Sequence, residues 1–467
     1  MKLIMKFGGT SVQNPEAVGR TVDIIASHLK KGDRMAVVVS AQRGVTDRII
    51  TTAEQMISSR DTSAVTDLVE FLTTSHLTTL QGVAPDYYAE ISEIINRRIS
   101  SLRDFLHAVY HLRELTPRSR DYVISFGERL NAPVISAALR QQGISSLVLD
   151  GCEVGILTTS NHGDAIALPA GEPRICARLE PLIETSVPVV MGFMGCTEKG
   201  VVTTLGRSGS DYSAAILGAA LKVDEIWIWT DVDGIMTTDP RLVPTARVIP
   251  RISYIEVMEL SYFGAKVMHS RSIEPAMQKN IPVWVKNTFN PTCPGTCIEK
   301  SERRESRVVK AITYIDKVAA ITITGAQMIG RPGVAKHIFS LLADHHINVM
   351  MISQGSSEAN ISLIIEDKQV KTAMDALMPL QERCVFREIT ANEDVAAVAV
   401  VGSGMAGMAG TAGRTFTALG KAGINAMMIS QGSSEVNISF VVTQEDGPRA
   451  VKVLHDEFAL SEQCEEC

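Results

Sequence analysis

Short apolar runs alternate with longer segments of helical apolar spacing along the first two-thirds of the chain. The runs are only four to six residues long, which is typical of buried strands. Strands that alternate with helices predict a mainly parallel sheet with helices on both faces, a three-layer α/β domain. Residues 47–114 have helical spacing and no strand pattern, so they predict a helical insertion. The predicted strands are residues 3–7, 35–40, 146–149, 187–192 and 225–230.

The last third of the chain contains a duplicated unit. Residues 347–362 return almost unchanged as residues 424–439, at an offset of 77 residues, which indicates a repeated domain. Each unit has the pattern strand, glycine loop, helix, strand, tight turn, strand and helix. The first unit continues into a strand at residues 384–390, and the second lacks that strand, which residues 308–313 can supply. We therefore predict a nested pair of βαββαβ domains with an antiparallel sheet.

Domain boundaries follow from these patterns. A segment rich in Pro, Cys and Thr at residues 290–296 marks the end of the α/β part. We expect residues 1–300 to form the α/β domain. Residues 308–392 would form a linker strand with the first repeated domain, and residues 393–467 the second repeated domain.

Composition and charge narrow the class of protein. Hydrophobic residues make up 45% and charged residues 21% of the chain, as in ordinary globular proteins. A formal net charge of −7 argues against nucleic acid as a partner, because there is no basic face for the phosphates. Eight cysteines in this length do not suggest a disulfide scaffold, so we expect a reducing compartment. We do not expect a zinc site from Cys293 and Cys297 in a Pro/Gly loop with Cys464 and Cys467 at the terminus.

Neither an export signal nor a membrane span is expected. Lys6 and the pair Gly8-Gly9 interrupt the N-terminal apolar run, unlike a secretory signal. The longest uncharged stretch, residues 395–413, contains five glycines and only a strand's length of apolar sequence. We therefore expect a cytoplasmic protein that does not bind membranes.

Three polar, glycine-bearing segments each follow a predicted strand. They are Lys6-Phe-Gly-Gly-Thr-Ser11, Thr204-Leu-Gly-Arg-Ser-Gly-Ser-Asp-Tyr212 and Trp229-Thr-Asp-Val-Asp-Gly-Ile-Met-Thr-Thr-Asp-Pro-Arg241. Binding groups of α/β proteins lie at the carboxyl ends of strands, so the three segments together indicate a phosphate-handling site. Gly8 and Gly9 let the backbone approach an anion, and the next helix aims its dipole the same way. Lys6 suits a phosphate oxygen, although an ordinary turn with a solvated lysine fits this segment equally well.

Two charged side chains suit a zwitterionic ligand. Arg207 lies in a glycine-flanked loop, and its planar guanidinium suits a carboxylate or a phosphate. Ser210 or Asp211, which follow it, are also candidate helix caps. Glu128 lies beside a glycine as a lone carboxylate that suits an ammonium, and a helix-surface ion pair is an equally good interpretation.

Together these segments resemble the motifs of aspartate kinases, members of the amino-acid kinase family with a C-terminal pair of ACT domains. Phe263-Gly-Ala-Lys-Val267 adds to the likeness, which covers essentially the whole chain. The resemblance implies an amino-acid kinase domain followed by tandem βαββαβ ACT domains. It also implies that ATP, with Mg²⁺, phosphorylates the β-carboxylate of L-aspartate to 4-phospho-L-aspartate. This is the first step in the biosynthesis of lysine, threonine and methionine.

The resemblance assigns roles to individual positions. Lys6, Arg207 and Asp211 would be catalytic. No general base is needed, because the substrate carboxylate is ionised at neutral pH. Mg²⁺ would accompany ATP, and no set of protein metal ligands is expected. The residues implied around the nucleotide are Lys6, Phe7, Gly8, Gly9, Thr230, Asp231, Arg241 and Lys266. The residues implied in the aspartate pocket are Ser40, Thr46, Glu128, Phe193, Arg207, Ser210 and Asp211.

The repeated unit predicts regulation. In each copy a strand ends in Ile-Ser-Gln, at Gln354 and Gln431, and the chain turns before Asn360 and Asn437. Beside the glycine loop, these amides suit a free amino acid, and the resemblance favours feedback inhibition by threonine or lysine. Alternatively, the Gln and Asn side chains only tie down the turn. ACT sheets of this family usually join edge to edge, so we expect a homodimer or homotetramer.

Two alternative functions stay open at this point. One is another acyl-phosphate-forming amino-acid kinase, for example one acting on glutamate, and the other is a catalytically inert amino-acid sensor. A fused homoserine dehydrogenase activity is not expected, because the chain ends at Cys467 without a dinucleotide-binding unit. The chain departs from the family pattern at Met236, Asp47 and Ser270, where tyrosine, asparagine and proline are usual.

Overall fold

The chain forms two compact units. The computed structural model describes residues 1–59, 61–264, 268–300, 307–355 and 359–462. The first unit consists of residues 1–59, 61–235, 250–254 and 268–300. The second unit consists of residues 236–249 and 255–264 together with the described residues from 307 onward.

A sheet of eight strands forms the centre of the first unit. The strands of this unit are β1 (Lys2–Phe7), β2 (Arg34–Val39), β3 (Ser146–Leu149), β4 (Val187–Met191), β5 (Met194–Cys196), β6 (Val202–Thr204), β7 (Glu225–Thr230), β8 (Arg251–Ser253), β9 (Val283–Asn287) and β10 (Thr296–Glu299). The sheet order is β3-β4-β2-β1-β7-β9-β10-β8. All neighbouring pairs are parallel except β9–β10, and β5 and β6 form a separate antiparallel pair. The prediction of a mainly parallel α/β sheet is confirmed.

Helices follow most of these strands. They are α1 (Pro15–Lys30), α2 (Val45–Ser58), α3 (Ser63–Val83), α4 (Tyr88–Leu112), α5 (Pro117–Ile124), α6 (Phe126–Gln141), α7 (Gly151–Val154), α8 (Glu172–Ile183), α9 (Gly209–Leu221) and α11 (Glu274–Lys279). The helix α10 (Tyr254–Tyr262) lies between β8 and β9 in the sequence and, except for Tyr254, belongs to the second unit. The helices α2, α3 and α4 form the predicted insertion and share an apolar core with α6.

The central strand β1 shows how the layers form. Leu3, Met5 and Phe7 pack in one core cluster with residues of α1 and α6. Successive side chains of a strand point to opposite faces, so Ile4 and Lys6 face the other layer, which contains α9. The one polar residue among the buried positions of β1, Lys6, therefore lies in that second layer.

The second unit contains a six-stranded antiparallel sheet. Its strands are β11 (Ala311–Thr324), β12 (Met351–Gln354), β13 (Asn360–Glu366), β14 (Glu388–Val401), β15 (Met428–Gln431) and β16 (Asn437–Thr443), in the order β12-β13-β11-β14-β16-β15. Its helices are α12 (Val334–Asp344), α13 (Val370–Glu382), α14 (Thr411–Lys421) and α15 (Asp446–Glu457).

Two long strands belong to both repeated domains. The first part of β11, residues 311–315, pairs with residues 397–401 of β14 in the second domain. Beyond an irregularity between Ile315 and Val318, the rest of β11 pairs with the first half of β14 in the first domain. Residues before the first domain thus supply the missing strand of the second, and the predicted nested βαββαβ pair is confirmed.

The second unit also includes residues that precede the predicted boundary at residue 300. The backbone oxygen of Thr237 accepts a hydrogen bond of 2.9 Å from the Ile312 N–H. The hydroxyl of Thr237 lies 3.0 Å from Nε2 of His455 on α15, and Val243 packs in the core of the second repeated domain. Residues 236–249, which follow Thr230 and Asp231 in the sequence, are therefore held by contacts within the second unit.

One strand is shorter than the sequence predicted. We expected a strand over residues 347–354, whereas β12 contains only Met351–Gln354. The Ile347 N–H instead caps α12 by donating to the Leu342 oxygen, and His346 has a left-handed φ of 55°. Among the described helices, none is both long and apolar enough to span a membrane.

Candidate active site

Lys6 and Asp211 form an ion pair in the first unit. The ammonium of Lys6 lies 2.6 Å from the carboxylate of Asp211, and both side chains are nearly buried. Lys6 reaches this position from β1, and Asp211 lies in the first turn of α9. Two residues assigned from different sequence segments are therefore brought together, and Lys6 is not the solvated lysine of an ordinary turn.

The glycines after β1 lie close to other backbone segments. The Gly8 N–H donates a 3.0 Å hydrogen bond to the Trp229 oxygen, which joins the end of β1 to the end of β7. A Cβ atom on Gly9 would lie only 2.9 Å from the Ala41 oxygen, so a larger residue would displace the neighbouring loop. Phe7 stacks on Trp229 in the core with ring centroids 6.0 Å apart, so its side chain packs rather than faces a ligand.

The start of α1 does not directly follow Gly8 and Gly9, as the prediction of a helix dipole aimed at the same anion had assumed. A short 3₁₀ turn, Gly9–Val12, comes between Gly8 and α1. The side chain of Asn14 caps the helix by accepting a 2.9 Å hydrogen bond from the Ala17 N–H. One donor of the first turn of α1 is thus already satisfied, and the 3₁₀ turn separates this helix from Gly8.

Glu128 is a buried carboxyl group on α6, so the interpretation as a surface ion pair is wrong. Its Oε1 accepts a 3.1 Å hydrogen bond from the Ala41 N–H. Its Oε2 is buried and has no hydrogen-bond partner within the described part of the chain. Burial raises the pKa of Glu128 to about 8, against the opposing effects of the Ala41 hydrogen bond and the nearby Lys6 charge. Such a group is prepared to receive a cationic partner.

Ser40 and Thr46 lie next to this carboxyl group. Ser40 follows β2, and its backbone oxygen accepts a 2.7 Å hydrogen bond from the Asn131 amide. A Cβ atom on Gly127 would lie 2.6 Å from Cβ of Ala41 and 3.1 Å from the Thr46 hydroxyl, so α6 packs tightly on this loop. Sequence reasoning missed Asn131. The signal for it was the spacing of three residues from Glu128, which places both on one face of a helix.

Arg207 lies in a strained turn after β6. Gly206 and Ser208 have left-handed φ values of 75° and 52°, and Arg207 between them is exposed. Ser208 is the N-cap residue of α9 without a side-chain cap bond, so neither Ser210 nor Asp211 caps this helix as the alternative interpretation proposed.

Phe193 and Ser210 connect this turn to the sheet. The Phe193 oxygen accepts a 2.9 Å hydrogen bond from the Leu205 N–H, and Phe193 itself has a left-handed φ of 69°. A Cβ atom on Gly209 would lie 2.6 Å from the Phe193 ring, and one on Gly192 would lie 2.8 Å from the Ser210 hydroxyl. Close packing thus fixes the start of α9 against the end of β4.

The other residues assigned to the nucleotide site do not all belong to the first unit. Thr230 ends β7, and its hydroxyl donates a 3.2 Å hydrogen bond to the exposed Asp231. Arg241 belongs to the second unit, where it is exposed and paired with Asp239, which raises the pKa of the guanidinium. Lys266 lies outside the described residues.

A cavity of about 310 Å³ lies in the first ACT domain. Gln354 lines it together with residues of the glycine loop, and the role of Gln354 as an effector residue stays a prediction. The Asn360 side chain instead accepts a 3.0 Å hydrogen bond from the Gly355 N–H, which ties down its own turn. The lining residues are Met328, Gly330, Arg331, Pro332, Gly333, Val334, Ala335, Gln354 and Ile361.

In the second repeated domain the equivalent residues have different hydrogen-bond partners. Asn437 donates a 2.8 Å hydrogen bond to the carboxylate of Glu259 on α10. In the glycine loop, the Gly407 N–H donates to Glu435 over 2.6 Å. Met408 takes the place that Arg331 has in the first domain. The duplicated positions thus have different partners, with Gln431 at the end of β15.

Comparisons with known proteins place the chain in a family. The model of the amino acid kinase family matches residues 1–287, and the model of the ACT domain matches residues 321–378 and 398–458. The chain belongs to the amino acid kinase family. Aspartokinase 3 of Arabidopsis thaliana is 32% identical over 472 residues, which cover 99% of this chain and 82% of that protein.

The family also contains longer relatives. Bifunctional aspartokinase/homoserine dehydrogenase 2 of Arabidopsis thaliana is 34% identical over 469 residues, which cover 98% of this chain and 51% of that protein. The chain thus spans about half the length of these bifunctional relatives.

A solved structure has the same architecture along its whole length. Aspartokinase III of E. coli in complex with aspartate and ADP superposes with a TM-score of 0.84 at 29% identity, covering 98% of this chain and 99% of that one. The same E. coli enzyme in complex with lysine and aspartate, in its T-state, gives a TM-score of 0.80. The resemblance to aspartate kinases and the predicted fold class are confirmed.

Proposed function

We propose that this chain transfers the γ-phosphoryl group of ATP to the β-carboxylate of L-aspartate and forms 4-phospho-L-aspartate. The observation that carries the proposal is Glu128, whose buried Oε2 has no hydrogen-bond partner within the described residues. A buried carboxylate oxygen of this kind suits the ammonium of an amino acid. Arg207, exposed in its turn, suits a substrate carboxylate, and the two charges complement a zwitterion.

Catalysis in this proposal consists of positioning and charge neutralisation. The attacking group is the substrate's own carboxylate, which is ionised at neutral pH, so no protein base is required. Lys6 lies at the end of β1 beside Gly8 and Gly9, where backbone and ammonium together suit the transferring phosphoryl group. Asp211 holds the Lys6 ammonium in place through their ion pair.

The nucleotide and its metal fit this arrangement. Gly8 and Gly9 carry no side chains beside the Lys6 ammonium, so their backbone can approach a phosphate there. Within the described residues, no group of three or more His, Cys, Asp or Glu side chains could hold a metal. Mg²⁺ usually binds to nucleotide phosphates with only one or two carboxylates, so we propose that the phosphates of ATP hold it and that it neutralises their charge.

The relatives support the substrate and the nucleotide. The E. coli enzyme of the same architecture binds aspartate and ADP. We propose that Ser40, Thr46, Phe193 and Ser210 complete the aspartate pocket. For the nucleotide site we propose Phe7 through its backbone, Thr230, Asp231, Arg241 and Lys266.

A hydroxylamine-trapping assay tests the reaction. The purified chain is incubated with ATP, Mg²⁺ and hydroxylamine, and hydroxamate and ADP are measured with aspartate or glutamate as acceptor. We expect hydroxamate with aspartate and much less with glutamate. A preference for glutamate would favour the alternative amino-acid kinase, and no ADP above background with either acceptor would favour the inert sensor.

We further propose that a free amino acid regulates the enzyme at the ACT domains. The cavity at Gln354 has an apolar wall, a glycine loop and the adjacent Arg331, a combination that suits an amino acid and its carboxylate. The E. coli enzyme binds lysine as well as aspartate, which favours lysine over threonine. Gln354 and Asn360 would form the first effector site, and Gln431 and Asn437 the corresponding second one.

Assembly and location follow the family in this proposal. We propose that the chain forms a homodimer or a homotetramer through its ACT sheets. A cytoplasmic location stays a prediction from the sequence.

A further inference from the structure

A fully buried aspartate, Asp121, connects α5 to the loops on the Arg207 side of the pocket. Its Oδ1 accepts hydrogen bonds from the Thr204 hydroxyl at 2.5 Å and from the Gly163 N–H at 2.9 Å. Its Oδ2 lies 2.6 Å from Nδ1 of His162. One carboxylate thus binds both the last residue of β6 and the loop at residues 162–163. Satisfying all its contacts at once makes this group a rigid junction.

The loop held by Asp121 supports the turn that carries Arg207. The Ala165 N–H donates a 2.9 Å hydrogen bond to the backbone oxygen of Thr204. A Cβ atom on Gly206 would lie 2.7 Å from Oδ1 of Asp164, so the loop packs directly against the turn. Arg207 itself is exposed, and its position is therefore set by the residues that flank it.

Asp121 is also firmly connected to Glu128. The Ser125 N–H donates a 3.2 Å hydrogen bond to the backbone oxygen of Asp121. The Arg129 N–H donates a 3.2 Å hydrogen bond to the backbone oxygen of Ser125. Helical hydrogen bonding thus continues from α5 into α6. Asp121 and Glu128 are seven residues apart, close to two helical turns, so they lie on the same side of this helical segment.

We propose that Asp121 is a positioning residue that sets the separation between Arg207 and Glu128 through the Thr204 hydroxyl. The inference rests on the proposed function, in which Arg207 and Glu128 bind the two ends of the substrate. A fixed separation favours aspartate over an amino acid with one more methylene. Discrimination by one methylene is typically about 10–200-fold.

Steady-state kinetics of Asp121→Asn and Thr204→Val test this role. We expect the KM for aspartate to rise at least about tenfold in each variant, because small displacements of a binding group weaken substrate positioning. The kcat and the KM for ATP should change little, and the preference for aspartate over glutamate should fall. The double variant should be less impaired than the sum of the two single variants, because the side chains of Asp121 and Thr204 contact each other. Thr204→Ser keeps the hydroxyl and should behave like the wild type.

Thr203→Val is the matched control. Thr203 precedes Thr204 in β6 and is also buried, but its hydroxyl lies 2.6 Å from that of Thr158. We expect it to leave the KM for aspartate unchanged, even if the melting temperature falls. An equal rise in this control, or an unchanged KM in Thr204→Val, would overturn the inference.

Three further outcomes are distinguishable. If Asp121→Asn does not fold, Thr204→Val and Thr204→Ser decide the question alone. If the wild-type chain forms no ADP with aspartate, the proposed function itself fails. If the wild type phosphorylates aspartate and the variants bind it normally, only the role of Asp121 fails.

Discussion

The ammonium of Lys310 lies 3.0 Å from the carboxylate of Glu256, and both side chains are buried in the second unit. The other carboxylate oxygen of Glu256 accepts hydrogen bonds from the N–H and the hydroxyl of Ser403, at 2.6 and 2.8 Å. Glu256 lies on α10, Lys310 immediately before β11, and Ser403 in the glycine loop of the second ACT domain. This buried cluster therefore joins three segments that are distant in sequence.

Replacement of Lys310 by methionine should destabilise the second unit. The variant removes the ammonium that lies against the buried Glu256 carboxylate, and breaking a buried ion pair by removing one partner typically costs about 3–5 kcal/mol. Thermal unfolding followed by calorimetry or circular dichroism measures the effect. The double variant Glu256→Gln/Lys310→Met should recover much of the loss. Arg97→Met, which removes an exposed i,i+4 pair with Glu93, should cost only about 0.3–0.5 kcal/mol. A loss in Lys310→Met no larger than this control would contradict the prediction.

The affinity for aspartate should increase with pH until Glu128 is ionised. The pKa of this group is raised to about 8, so in the free enzyme it is mostly neutral at pH 7. Binding of the substrate ammonium requires the ionised carboxylate of Glu128. Below the pKa of Glu128, each decrease of one pH unit should therefore lower kcat/KM for aspartate by up to about tenfold. The profile should level off above that pKa.

Glu128→Gln is the control for this profile. It keeps the size of the side chain and removes the titration, so its weaker binding should no longer depend on pH in this range. Wild-type and variant profiles of the same shape would show that another group titrates. The free energy of unfolding changes with pH in the opposite direction to the affinity for aspartate. A raised carboxyl pKa means that the folded enzyme binds extra protons, so stability without substrate falls as pH rises from about 4.5 to about 8.

Lys6→Ala should lower kcat more than it raises the KM for ATP. The charge on the transferring group changes during the reaction, and loss of one stabilising donor typically costs about 10²–10³-fold in kcat. Because Lys6 neutralises Asp211, the variant also leaves a nearly buried carboxylate unpaired. Lys6→Ala/Asp211→Asn should restore the melting temperature without restoring kcat. A normal kcat with weaker ATP binding would make Lys6 a ground-state contact.

Arg207→Ala should raise the KM for aspartate or abolish turnover. Removal of one partner of a charge pair that becomes buried on binding typically costs about 2–5 kcal/mol. Arg207 is exposed in its turn, so the variant should fold normally, which circular dichroism can check. Arg207→Lys keeps the charge but lacks the planar guanidinium group, so its KM for aspartate should lie between those of the wild type and Arg207→Ala. Full activity of the alanine variant would exclude Arg207 from the pocket.

Gln354→Ala should relieve feedback inhibition while kcat without inhibitor stays nearly intact. Coupling between regulatory and active sites is typically about 1–3 kcal/mol, which sets the expected shift of the inhibition curve for lysine or threonine. We expect a smaller effect from Gln431→Ala, because the adjacent Asn437 is bound to Glu259. A wild-type enzyme that ignores both amino acids at millimolar concentration would remove the regulatory proposal and leave the kinase proposal standing.

The sequence predicted those features that depend on local pattern. The short buried runs became strands β1, β2, β3, β4 and β7 within a residue or so of their predicted ends, because full burial leaves few polar positions. The repeat predicted the nested ACT pair, because the missing strand of one unit had a single suitable donor segment before the other.

The environment of single polar residues was less predictable. Almost the whole of α6 is buried, so no apolar stripe indicated whether Glu128 faces solvent or the pocket. Asp121 meets partners 41 to 83 residues away, and nothing in its neighbourhood along the chain indicates them. The attachment of residues 236–249 to the C-terminal unit likewise depends on distant contacts such as Thr237 with His455.

The long strands β11 and β14 have a consequence for how the two ACT domains can be separated. A chain cut between the domains would leave residues 397–401 without the neighbour that residues 311–315 provide, and would expose a row of backbone donors and acceptors. The second domain can therefore not be excised as a self-sufficient piece. The same hydrogen bonds would form if residues 311–315 came from another copy of the chain, which makes this strand the natural element for exchange between two copies.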